Sequence, residues 1–100
     1  MANNTATNPI QCDTAGQLVS NGGSIKSIVF VNDGVDADLT LELLDELPIS
    51  GGTPAGTKII VKLELTAEDH CKVYVPPTSL KFVNGLYCKT IDGGLALIQV

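Results

Sequence analysis

One hundred residues make a single domain with one thin core. Apolar residues are 44% of the chain and charged residues 17%, below the ~25% of an average domain, so part of the surface is expected to lie under a partner. The net charge is −5, Lys26, Lys58, Lys62, Lys72, Lys81 and Lys89 are the only basic residues besides His70, and arginine is absent; this argues against binding a phosphate backbone, and no run approaches the ~20 apolar residues of a membrane helix.

Residues 1–9 are rich in Asn and Thr and have neither the basic start nor the apolar core of a signal peptide. Residues 1–16 read as a flexible N-terminal arm and 17–100 as a β-sandwich domain. Residues 10–12 and 17–19 suit short edge strands, and Asn21-Gly22-Gly23 marks a turn. Residues 24–32 follow as one strand. Its second half, Ile28-Val29-Phe30-Val31, is apolar on both faces, which predicts a central strand covered on both sides.

Over 37–45 the chain alternates, with Leu39, Leu41 and Leu43 on one face and Asp38, Thr40 and Glu42 on the other. Leu44 breaks the pattern as a bulge would. A helix over 37–47 competes, but it would spread the three leucines around its circumference. Residues 48–56 hold Pro48, Pro54 and three glycines and form the longest loop. The clearest strand is 57–66, with Ile59, Val61, Leu63 and Leu65 on one face and Ile60, Lys62 and Glu64 on the other. Residues 66–69 turn. Residues 70–75 make a strand with Cys71, Val73 and Val75 inward and Lys72 and Tyr74 outward, ended by Pro76-Pro77. Leu80 and Phe82 share a short strand, and Asn84-Gly85 is a hairpin signal. Residues 86–91, a Gly93-Gly94 turn and residues 95–100 complete a terminal meander. The pattern is all-β: a single small β-sandwich or jelly-roll-like barrel of about seven or eight short antiparallel strands.

Chemistry-bearing patterns are weak. Cys12, Cys71 and Cys88 are an odd number without a CxxC pair, so they are no disulfide framework. They read as two buried thiols and one in the arm; a Cys71–Cys88 bridge requires the strands at 70–75 and 86–90 to pair. His70 and Cys71 are adjacent in a strand and face opposite ways, which opposes one shared metal. Asp33, Asp36 and Asp38 lie around a turn but miss the calcium-loop spacing. Glu42, Asp45 and Glu46 have no fixed separation that would make a glycosidase pair. The Gly51-Gly52-Thr53-Pro54 segment precedes a strand where a phosphate loop needs a helix. No catalytic residue, metal or cofactor is therefore assigned. What remains is surface: Ile25, Ile60 and Tyr87 fall on faces opposite the main core residues and are the candidate oligomer contact.

Ile25-Lys26-Ser27-Ile28-Val29-Phe30, a Leu-Thr-Leu-Glu-Leu strand, a Gly/Pro loop, Lys58-Ile59-Ile60-Val61, Val73-Tyr74-Val75-Pro76 and Phe82-Val83-Asn84-Gly85-Leu86-Tyr87 occur in that order. Across residues 24–100 this pattern resembles small virion structural proteins of tailed bacteriophages, in particular the short β-modules that decorate or cement capsids. The resemblance implies a non-enzymatic homo-oligomer, often a trimer, bound to the major capsid protein. It would be made in the bacterial host cytoplasm and located on the outer capsid surface of the virion. On that reading Asn8, Pro9 and Ile10 of the arm and Gly51, Thr53 and Pro54 of the long loop are the candidate capsid contacts, and nucleic acid and membrane are not partners. The alternative is a tail, fibre or baseplate module binding host-surface carbohydrate, for which Tyr74 and Tyr87 are the available stacking rings.

Overall fold

The computed structural model describes residues 3–32, 38–48, 54 and 56–100. Among them there is no helix, and ten strands follow in chain order: β1 (Ile10–Cys12), β2 (Gly16–Val19), β3 (Gly23–Ile25), β4 (Ser27–Val31), β5 (Leu39–Leu44), β6 (Ile59–Leu65), β7 (Cys71–Tyr74), β8 (Leu80–Phe82), β9 (Leu86–Ile91) and β10 (Leu95–Gln99). They build two four-stranded sheets, ordered β1-β10-β4-β7 and β2-β9-β5-β6, and a two-stranded sheet β3-β8. All pairings are antiparallel.

Period-two patterning explains the layers. Ile10, Cys12, Ile28, Phe30, Ala96 and Ile98 point inward from the first sheet. Leu18, Leu39, Leu41, Leu43, Val61, Leu63, Leu65, Leu86 and Cys88 do so from the second. Together with Ile25 and Phe82 of the small sheet they form one apolar cluster with no buried charged residue. β5 is a strand and not a helix, and its register with β6 shifts between Leu43 and Leu44, which turns both leucines into the core. The short strands β1 and β2 occupy sheet edges.

Four expectations are corrected. The strand expected over 24–32 breaks at Lys26, whose N–H donates to the Gln99 carbonyl at 2.7 Å, and β3 and β4 belong to different sheets. This break brings the strands among the described residues to ten, against the seven or eight expected. Next, Asn84-Gly85 does not close a hairpin and there is no terminal meander. β8 pairs with β3, β9 with β2 and β5, and β10 with β1 and β4, so the turns after Phe82 and Ile91 carry the chain from sheet to sheet. β5 and β6 are the only consecutive strands that pair with each other among the described residues.

β7 also faces the opposite way from the reading above. Tyr74 stands across from Ile28 and Lys72 from Phe30 on the inner side, while Cys71 and Val73 point out. A tyrosine ring covers more apolar surface than a valine at an open edge, and the Lys72 stem lies along that edge with its Nζ donating to the Glu64 carbonyl at 3.2 Å on the other sheet.

Lastly, the segment before β2 is not a free arm over its described length. Asn4 and Gln11 exchange backbone hydrogen bonds at 2.8 and 2.9 Å. Asn3 Oδ1 accepts from the N–H groups of Asp13 and Thr14 at 2.8 and 3.0 Å. Ile10 and Cys12 are core residues.

Candidate interaction face

The two large sheets have very different outer faces. In the second sheet the outward positions along most of β5 and β6 are polar, while Ile59 at the start of β6 is 45% exposed. Glu42 stands directly across from Lys62 and Thr40 across from Glu64, and Lys62 Nζ lies 3.6 Å from Glu64 Oε1. Lys89 and Thr90 continue this surface on β9. Such a face is at ease in water, although exposed ion pairs of this kind add little stability.

The outer face of the first sheet carries no charged side chain from any of its four strands. Strand register sets out its rows: Leu95, Val31 and Cys71 form one, and Leu97, Val29 and Val73 the next. Gln11 flanks Leu97, and Ser27 and Gln99 close the end. Val29, Val31, Leu95 and Leu97 are half-buried by their neighbours in the sheet, Val73 is 62% exposed, and Val75 just beyond β7 is 65% exposed. β4 is thus central in its sheet, with Ile28 and Phe30 fully buried on one face and Val29 and Val31 half-buried on the other, so the run Ile28-Val29-Phe30-Val31 is apolar on both sides. Contiguous aliphatic rows that reach an exposed edge at Val73 and Val75 are of the kind that contact surfaces use.

The residues expected to form the oligomer contact are not brought together. Ile25 is fully buried opposite Leu80 and cannot offer its side chain to a partner. Alternation continued through Lys26 would point Ile25 outward, and the bend there reverses that parity. Ile60 and Tyr87 are half-buried on the second sheet, on the far side of the molecule from the aliphatic rows. The signal that locates the aliphatic rows was the two-sided apolar run of β4 together with Leu95 and Leu97.

Among the expected shell contacts, Ile10 is 2% exposed and is a core residue, since β1 lies in the sheet. Asn8 and Pro9 are exposed, and the Asn8 amide holds Val100, donating from Nδ2 to its carbonyl at 3.0 Å and accepting its N–H at 3.1 Å. Gly51 and Thr53 lie outside the described residues, as do Asp33 and Asp36; Pro54 is half-buried. Tyr74 and Tyr87 sit in different sheets and do not form one stacking platform.

Several carboxylates accept backbone N–H groups. Asp45 accepts the N–H groups of Val83 and Asn84 at 3.0 and 2.8 Å. Burial raises its pKa, but the backbone donors Asn84, Val83 and Gly85 outweigh that and hold the carboxyl below its usual value. Glu46 accepts from Lys58 at 2.9 Å and Gly56 at 3.3 Å, and Asp92 accepts from Thr40 at 2.6 Å. Among the described residues no three His, Cys, Asp or Glu side chains gather as metal ligands.

The cysteines are also redistributed. Cys12 and Cys88 are fully buried and Cys71 is exposed on the aliphatic face. Cys71 and Cys88 therefore face away from each other, and their strands do not pair. The buried two meet instead. A hydrogen bond from Cys88 lowers the pKa of the Cys12 thiol against its burial, and the same contact together with burial pushes that of Cys88 up.

No protein family, no curated protein and no solved structure matches this chain.

Proposed function

We propose that this chain is a non-enzymatic adhesion module, a virion structural protein of the capsid-decoration type, and that it binds further copies of itself through the outer face of the β1-β10-β4-β7 sheet. One observation carries the reading: aliphatic rows without charge cover one outer face, while the opposite outer face bears Glu42, Lys62, Glu64 and Lys89. A second copy is the occupant favoured by electrostatics. Chains of net charge −5 repel one another, and a charge-free face is where two of them approach at least cost.

Size decides how strong that contact is. Four strands about 4.8 Å apart and about 17 Å long span roughly 300 Å² in plan, well under the ~800 Å² per partner of a standard stable interface. Pairing in free solution is weak, and it becomes effective when copies are held side by side on a shell. Asn8, Pro9 and the loop around Pro54 are the proposed shell contacts.

Sedimentation equilibrium tests the self-contact. The wild-type chain should associate reversibly at high micromolar concentration, and Val73→Asp should stay monomeric with an unchanged far-ultraviolet spectrum. Purified chain added to phage heads lacking it should co-sediment with them and raise their resistance to heat. A chain that is monomeric at all concentrations and binds no intact head would remove the proposal.

A further inference from the structure

The core contains a pair of nucleophilic side chains that adhesion does not use. Cys12 ends β1 in the first sheet. The chain then crosses to the second sheet within 13–15, and Gly16, the first residue of β2, stands directly opposite Cys88 of β9. Cys12 and Cys88 are both fully buried in the one apolar cluster between the sheets. Each sulfur is also oriented by its own strand. Cys12 Sγ donates to the Thr14 carbonyl at 3.5 Å and Cys88 Sγ to the Thr90 carbonyl at 3.6 Å, two residues along in both cases. The two thiols act on each other's ionisation through a side-chain hydrogen bond, which lowers the pKa of Cys12 and raises that of Cys88.

We propose that Cys12 and Cys88 are a disulfide site that locks the first sheet to the second when the chain folds in the presence of a small-molecule disulfide such as oxidised glutathione. The balance is a double exchange. The Cys12 thiolate attacks one sulfur of oxidised glutathione and releases one glutathione thiolate. The Cys88 thiolate then attacks the Cys12 sulfur of the mixed disulfide and releases the second. Two cysteine thiols are oxidised, one glutathione disulfide is reduced to two thiols, and both cysteine protons pass to solvent and the leaving thiolates.

Both thiols are fully buried in the folded chain, so exchange belongs to folding or to opening of the core around them, and either thiolate can attack first. Once closed, the bond joins residues 76 positions apart and restricts the unfolded chain strongly.

The test uses the full chain carrying Cys71→Ser, which removes the exposed thiol, alongside wild type. Both are refolded from denaturant in a buffer of oxidised and reduced glutathione, then alkylated under denaturing conditions. The expected product has an intact mass about 2 Da below the reduced chain, no alkylatable cysteine in the variant and a Cys12–Cys88 linked peptide in both. Its Tm should exceed that of the reduced chain by roughly 10 °C or more. Two alkylatable thiols in the refolded variant, or a wild-type linkage through Cys71, would overturn the proposal.

Discussion

Asp45 shows how single side chains tie this fold together. Its carboxylate holds the turn between β8 and β9 by accepting backbone N–H groups 38 and 39 residues away. Asp45→Asn keeps an acceptor but loses the charge, and should cost about 1 kcal/mol, seen as a lower urea midpoint. The pH dependence has a definite sign. The folded pKa lies below the unfolded value of ~3.9, so the contribution is present above that value and is lost as the pH falls through the folded pKa. Wild type should therefore lose more stability than Asp45→Asn on acidification below pH ~4. Gly94 has a different role. Its φ is +78°, and a Cβ there would run into the Val31 carbonyl. Gly94→Ala should destabilise by more than about 1 kcal/mol in the same denaturation assay. Sequence marked Gly94 as a turn, but it could not mark Asp45 as a cap, because the amides that Asp45 binds are distant in the chain.

The strands separate stability from the proposed self-contact. On β4, Phe30 is fully buried between the sheets, and Phe30→Ala should cost ~3–5 kcal/mol by leaving a cavity. On β7, Val73 is 62% exposed, and Val73→Asp should change folding free energy by no more than about 0.5 kcal/mol while abolishing self-association. β1 belongs with the first group. It pairs with β10 over Ile10–Cys12 and contributes Ile10 and Cys12 to the core, so deleting residues 2–13 should lower the Tm or prevent folding, as read by circular dichroism. A deletion that left Tm unchanged would return this strand to the status of an arm. At this scale alternation located most strands, and the orientation of β7 was lost. A four-residue edge strand with apolar residues on both sides has no parity signal strong enough to choose its inner face.

For the whole molecule, the distribution of charge sets how the proposed self-association should respond to salt. Two chains of charge −5 that meet through an uncharged face feel only long-range repulsion, with no ion pair at the contact to be screened. Raising the salt from ~10 to ~150 mM shortens the screening length from about 30 to about 8 Å, so self-association should strengthen in sedimentation experiments. Weakening with salt would point to a contact through the Glu42–Lys62 side instead. Sequence alone determined that the chain is all-β, that Leu39, Leu41, Leu43, Val61, Leu63 and Leu65 form a core face, and that Leu44 sits at a bulge, while Ile59, expected on the same face, is 45% exposed and Ile60 packs against the core instead. Those features follow from the two-residue repeat of a strand, which is local. Tertiary structure decided which strands pair, that Ile25 is core while Val29, Val31 and Val73 face outward, and that Cys12 meets Cys88. Pairing and facing depend on how segments far apart in the chain are stacked, and a local repeat holds no record of which sheet its strand will join.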